Sequence, residues 1–323
     1  MAASRNSLQN SVPTRVAAFL AKRTTPGEKV CVGLSGGCDS VVLLHVLTVL
    51  GPREHLRAVH VHHGLSENAD RWADFCTDYC RRLGVELLVE RVDVERRSGL
   101  GLEAAARAVR YGVFSRSAGD VLLLGHHQGD QAETLLFNLL RGTGVAGAAA
   151  IPVDRLQGRM RILRPLLDVA RREIEAYARD CQLVWIDDES NTDTLHARNF
   201  LRHDVLTALA GRFPAAEKKL AQAAGHFAEA DILLGELARL DWTAAADGEA
   251  LKLSSLREVS LPRLKNLLRY RLRQLGWQAP VAARLDEFAR QLQTAGADRH
   301  PALDLAEGSM IAGRGRLRWV ARK

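Results

Sequence analysis

No apolar stretch of this 323-residue chain approaches the roughly 18 residues that a membrane-crossing helix needs, so no transmembrane span is expected. The first residues, Met-Ala-Ala-Ser-Arg-Asn-Ser, lack the apolar core of a secretion signal. Cysteine is scarce. The five residues Cys31, Cys38, Cys76, Cys80 and Cys181 are odd in number and lack disulfide-scaffold spacing, which points to a reducing cytoplasm. No internal repeat or low-complexity tract is evident, which sets aside solenoids and compositionally biased tails.

What remains is an ordinary globular composition, 47% apolar and 26% charged, long enough for two domains with a core each. The net charge is +7, and the residues after Ala215 carry +5 of it. A basic C-terminal third suits contact with a phosphate backbone, although a merely soluble basic surface would look the same.

The most informative stretch is Val30-Cys-Val-Gly-Leu-Ser-Gly-Gly-Cys-Asp-Ser-Val. It reads as a buried strand, a tight glycine turn and the start of an apolar helix. Such a turn presents backbone N–H groups and a helix N-terminus to one point, an anion site suited to phosphate or pyrophosphate. Gly36 and Gly37 allow close approach of a ligand, Cys38 sits within the turn, and Ser35 and Ser40 bring hydroxyls. Asp39 is out of place beside an anion unless it meets the phosphates through Mg²⁺. The turn is neither the kinase-type loop, which needs a lysine, nor the dinucleotide Gly-x-Gly-x-x-Gly.

Along the first half, strand candidates (30–34, 56–62, 85–92, 121–126) alternate with helical patterns (41–50, 67–83, 102–118). That alternation predicts a parallel α/β sheet with ligands at the carboxyl ends of its strands. From about 141 the chain reads as loops, then a helix over 168–181 and a short strand over 183–186. Beyond Pro214 the pattern becomes helical (215–240, 261–275, 281–294), and 302–320 reads as two or three short strands with glycine turns. The expected domains are 1–213 and 214–323.

Five further clusters carry chemistry. They are His60-Val-His-His-Gly to Asp70, Glu103 to Tyr111 with Arg107, Gly125-His-His-Gln-Gly-Asp130-Gln-Ala-Glu133-Thr, Arg164-Pro-Leu-Leu-Asp168, and Trp185 to Asp193 followed by Arg198-Asn-Phe-Leu-Arg202. Asp130 and Glu133 are three apart at a helix start and can face one site, although first-turn carboxylates also serve the helix dipole. Arg107 and Arg198, with Arg141 as a third candidate, could neutralise phosphate charge, unless they are ordinary surface ion pairs. His62 and His126 are candidates for lining a nucleotide pocket. A zinc reading of His-x-His-His lacks matching cysteine or carboxylate spacing. Cys76 and Cys80, four apart on an amphipathic helix, read as core.

The glycine turn resembles the pyrophosphate loop of the ATP-pyrophosphatases. The ordered set of motifs between about 30 and 205 resembles the bacterial tRNA(Ile)-lysidine synthases within that superfamily. The resemblance implies a Rossmann-like parallel sheet of the ATP-pyrophosphatase type, followed by a smaller, mainly helical tRNA-binding domain with a short β tail. It implies ATP and Mg²⁺, free L-lysine and a CAU-anticodon isoleucine tRNA as reaction partners. The wobble cytidine would be adenylated at O2, and the lysine ε-amine would then attack C2 and expel AMP. An ammonium is no nucleophile, so Asp130 and Glu133 would hold it and take its proton. Asp39, Arg107 and Arg198 complete the expected catalytic set. The cations Arg263, Lys265, Arg269, Arg271 and Arg273 on one helix, with Arg314, Arg316 and Arg318, form the expected tRNA-backbone platform. Longer members of the family carry a further C-terminal domain after the position of Lys323, so acceptor-stem contact stays open. So does the oligomeric state, homodimer included. The rival readings are another pyrophosphate-loop tRNA enzyme, such as a cytidine 2-thiolase, which the missing Cys-x-x-Cys disfavours, and a non-catalytic ATP-dependent tRNA binder.

Overall fold

The structure, a computed structural model, describes residues 11–51, 53–94, 102–117, 119–187, 197–294, 296 and 299–322. The sequence-predicted Asp188-to-Asp193 part of the Trp185 cluster and the Glu103 side chain lie outside the described residues. The chain divides into two compact units, Met1–Ala228 and Glu229–Lys323.

The first unit is built on strands β1 (Val30–Gly33), β2 (Leu56–His62), β3 (Glu86–Arg91), β4 (Val121–Leu123), β5 (Asp154–Gln157) and β6 (Met160–Leu163). Their order is β3-β2-β1-β4-β6-β5, parallel except for the β5–β6 hairpin at the edge. Strands β1 and β4 are apolar throughout because helices cover both faces. Val32 and Leu123 pack into one core with Val41 and Leu44 of the helix Cys38–Leu50, while Cys31 and Leu122 face the other with Phe114. Successive strand residues point to opposite faces, so one short run serves both cores.

From β1 the chain winds outward through β2 and β3, then returns to place β4 on the other side of β1. That reversal leaves a crevice at the carboxyl ends of β1 and β4, the position where open α/β sheets bind ligands. The helices Cys38–Leu50, Ala69–Leu83 and Leu102–Ser117 fall where the pattern predicts. Three elements differ. Residues 154–163, read as loop, form the β5–β6 hairpin; β5 is almost wholly exposed and β6 mostly buried, each over only four residues, so no two-residue period is there to register. Residues 183–186 are not a strand but an extended segment whose Ile186 N–H donates to Gly36 O at 2.9 Å. A helix also spans Val12–Ala21, capped by Ser11.

The second unit packs the helices Leu261–Leu275 and Ala282–Thr294 against an antiparallel sheet of order β7-β8-β11-β10-β9. The strands are β7 (Ala246–Asp247), β8 (Ala250–Lys252), β9 (Ala302–Asp304), β10 (Gly308–Gly313) and β11 (Arg316–Ala321). Leu264, Leu267, Leu268 and Leu272 repeat at helical spacing and fill its core with Phe288, Met310 and Leu317. Arg314 and Gly315, at φ +52° and +74°, make the two-residue turn between β10 and β11. The β7–β8 hairpin was not legible in the sequence pattern. No helix among the described residues is long and apolar enough to cross a membrane.

Candidate active site

A cavity of about 910 Å³ opens at the crevice between β1 and β4. Of the residues singled out from sequence, Ser35, Gly37, Cys38, Asp39, Ser40, His62, Arg107, His126, Asp130 and Arg198 line it. Gly36, Glu133 and Arg141 are not among the lining residues.

The glycine turn is held by its own hydroxyls. Ser40 Oγ donates to Gly37 O at 2.9 Å and accepts the Ser35 N–H at 3.2 Å, while Gly37 N–H donates to Ser35 Oγ at 3.3 Å. The serines therefore shape the turn before any ligand arrives. Gly37 is the N-cap of Cys38–Leu50 and supplies no side chain to it, so the first-turn N–H groups are left without a side-chain acceptor. Gly36 has φ +91°, and a Cβ there would lie 2.6 Å from Ile186 Cδ1. Its place is under the 183–187 segment rather than at the cavity wall. Gly125 is a close-approach glycine too: a Cβ would come within 3.0 Å of the Asp39 backbone. That is how β4 can end directly against the start of the helix.

Asp39 projects from this turn. Its Oδ2 accepts Arg171 NH1 at 2.9 Å, while its Oδ1 is buried without a hydrogen-bond partner among the described residues. Burial raises its pKa against the pull of His127 and Arg171. A carboxylate with one buried, unmatched oxygen fits a Mg²⁺ ion, which takes one or two carboxylates and completes its shell with phosphates and water. Among the described residues no group of three or more His, Cys, Asp or Glu side chains could form a metal cage, so phosphates would have to supply the remaining ligands.

Across the cavity, Asp130 opens the helix Gln128–Leu140 in a capping box with His127. The His127 N–H donates to Asp130 Oδ2 at 2.9 Å, and Gly129 N–H donates to His127 Nδ1 at 3.0 Å. Burial pushes the Asp130 pKa up, but His127, His126 and Arg202 outweigh it and the carboxyl titrates below the usual Asp range. One turn on, Glu133 is buried and its pKa is raised, burial outweighing Arg202 and Arg198. Arg202 joins the two carboxylates at 3.0 Å from Asp130 Oδ1 and 2.8 Å from Glu133 Oε2. Arg198 stands 3.6 Å from Glu133 Oε1 and over the ring of Phe137; Arg141 covers the same ring.

The remaining wall is cationic and imidazole-rich. Arg107 stacks on Tyr111, whose hydroxyl also accepts from the fully buried Arg164 at 3.5 Å. His126 and His63 each keep a buried Nδ1 without a partner among the described residues. Burial, reinforced by neighbouring arginines, lowers both pKa values, that of His63 to about 4, so both rings are neutral at pH 7. His62 is tied to Asp70 at 3.2 Å and to Arg91 at 3.3 Å, beside a second cavity of about 380 Å³. Cys31, Cys76 and Cys80 are buried with thiols pushed up to about 12, which makes them core rather than reactive groups.

Sequence reasoning missed Arg171 and gave no role to Arg202 or Arg164. Arg171 carried a signal: a cation in the first turn of the helix Arg171–Asp180 opposes the helix dipole, which marks a residue kept there for another reason. Arg202, four residues after Arg198, shares its helical face.

The sequence family described as PP-loop domain matches residues 8–209, and the one described as TilS substrate binding domain matches residues 251–318. The tRNA(Ile)-lysidine synthase of Aromatoleum aromaticum is 51% identical over 279 residues, covering 85% of this chain and 65% of that protein. That of Pseudomonas fluorescens is 43% identical over 302 residues, covering 90% and 68%. The chain belongs to the tRNA(Ile)-lysidine synthase family. It spans about two thirds of the length of the curated relatives that it matches. Among solved structures, the U34-tRNA thiolase NcsA from Methanococcus maripaludis superposes with a TM-score of 0.55 at 18% identity, covering 68% of this chain and 78% of that one. At that identity the likeness concerns the fold alone.

Proposed function

We propose that the protein ligates free L-lysine to C2 of the wobble cytidine of a CAU-anticodon isoleucine tRNA, consuming ATP and giving lysidine, AMP and pyrophosphate. The setting is the cytoplasm. Residues 1–213 act as the catalytic domain and 214–323 as the tRNA-binding domain. The observation that carries this reading is one cavity lined by both the pyrophosphate-loop turn and Asp130, with Glu133 buried one turn behind Asp130 and bridged to it by Arg202.

The turn 35–40 and the helix N-terminus behind it hold the ATP phosphates. Mg²⁺, held by Asp39, would offset phosphate charge there. Cytidine O2 attacks the α-phosphorus and pyrophosphate leaves, with Arg107 and Arg198 stabilising the charge that develops in a partly dry site. Asp130 and Glu133 hold the lysine ammonium and accept one of its protons. The free ε-amine adds to C2, and the C2–O2 bond breaks as AMP departs with the oxygen. A Glu133 pKa raised by burial suits a group that must take up a proton.

In the second unit, four of the five cations on Leu261–Leu275 are engaged internally. Arg263 pairs with Asp241, Lys265 with Asp286, Arg271 with Glu249 and Arg273 with Asp231. Arg316 pairs with Asp247, whereas Arg314 at the turn, Arg318 on β11 and Arg322 just beyond it are exposed with no ion pair among the described residues. The β11 side therefore offers the tRNA backbone more unmatched charge than the helix does.

The test is incubation of the 323-residue protein with ATP, Mg²⁺, labelled lysine and the tRNA transcript. Acid-precipitable label that resists mild base is expected, because an aminoacyl ester would be lost. Pyrophosphate release without such label would overturn the lysine assignment.

A further inference from the structure

The carboxylate pair assigned to the lysine amine is closed in this structure. Asp130 Oδ2 accepts the His127 N–H, and Oδ1 accepts Arg202 NH2 at 3.0 Å. Glu133 Oε2 accepts Arg202 Nε at 3.1 Å, and Oε1 faces Arg198 at 3.6 Å. All the carboxylate oxygens are engaged, and a single guanidinium bridges the two acids. The Glu133 side chain is 3% exposed. A carboxylate so buried cannot lose its cation without taking up a proton or destabilising the fold. Arg198 stays beside Glu133 when Arg202 leaves, so the pair keeps one cation, whereas an ammonium packed against the Arg202 guanidinium would meet like-charge repulsion.

Arg202 lies in a π-helical turn, Leu201–Val205, between the helical segments Ala197–Phe200 and Leu206–Arg212. Such turns are local departures from α-helical register that concentrate at functional sites. Its side chain is 36% exposed and borders the cavity, so it has space to leave.

We propose that Arg202 is the resident counter-ion of the amine site. It occupies the Asp130–Glu133 pair in the empty enzyme and yields it to the primary ammonium of the incoming substrate. Arg202 thereby sets the apparent affinity for lysine. The inference rests on the lysine-ligation reading. A compact ammonium with three donors replaces one arm of a planar fork, and the measured affinity is the intrinsic one reduced by the fraction of open sites.

The experiment measures KM for lysine in the base-stable incorporation assay for the wild type, Arg202→Ala and Arg202→Gln, with guanidinium chloride at millimolar concentration as the probe. If Arg202 closes about nine sites in ten, its removal lowers KM about tenfold. Added guanidinium then competes with lysine in the variants and far less in the wild type. An unchanged or higher KM, or variants indifferent to guanidinium, overturns the inference. Lysine-independent pyrophosphate release reports that each variant is folded, and Arg202→Gln is read if the alanine variant fails that check. A crystal structure of the wild type with lysine bound decides independently: Arg202 still bridging Asp130 and Glu133 overturns the inference. A wild type that incorporates no lysine is a failure of the parent reading instead.

Discussion

Asp130 does two jobs that substitution can separate. It accepts the His127 N–H at the start of Gln128–Leu140, and it carries charge toward the cavity. Asp130→Ala removes both. The lost capping acceptor costs about 1 kcal/mol, which in a unit of this size lowers Tm by roughly 2–4 °C. Asp130→Asn keeps an oxygen for the N–H and loses only the charge, so most of that stability returns. The chemistry should not return with it. Loss of a group that holds the amine and handles its proton costs about 10²–10⁴-fold in rate, in both variants alike. The stability difference has a defined pH window. The folded pKa of Asp130 is lowered from 3.8, so its stabilising contribution is complete at neutral pH and disappears as pH falls below 3.8 through the folded value. Lysine transfer, pyrophosphate release and thermal melting would be measured in parallel. Asp130→Asn transferring lysine within threefold of the wild type would refute the role given to the carboxylate.

Asp39 has the opposite sign: its folded pKa is raised, so its ionised form opposes folding as pH climbs from 3.8 through the folded value. Asp39→Asn should therefore gain stability relative to the wild type as pH rises above 3.8, while calorimetry finds MgATP affinity about tenfold lower or weaker still; equal affinity would remove Asp39 from the phosphate site. Gly36→Ala must place a Cβ at φ +91° and against Ile186, costing about 1–2 kcal/mol for the backbone and about 1–3 for overpacking. A denaturation midpoint shift worth less than about 0.5 kcal/mol would count against that geometry. For tRNA, replacing Arg314, Arg318 and Arg322 together by serine should flatten the slope of log affinity against log salt by up to about 2–3. Replacing Arg273, which is paired to Asp231, should leave the slope nearly unchanged; the reverse pattern would return the footprint to the helix.

Much of the first unit was legible because its signals are local. A strand buried on both faces reads as a continuous apolar run, and a glycine turn before an apolar helix reads as itself. The strand Leu56–His62 and the helix Leu261–Leu275 fall on their expected limits. The β5–β6 hairpin and β7–β8 were not legible. Their strands are two to four residues long, shorter than any period can register, and exist because a sheet edge offers them hydrogen bonds.

By itself the sequence determined the element types, the pyrophosphate turn and which acids and bases were worth watching, since these depend on spacing along the chain. The tertiary structure alone decided their partners. It laid Gly125 against Asp39, brought Arg171 to the same carboxylate across 132 positions and set Arg202 between Asp130 and Glu133. It also spent most of the helical cations of the second unit on internal ion pairs. Charge and burial act through distance in space, and a pattern of residue types carries no record of that distance.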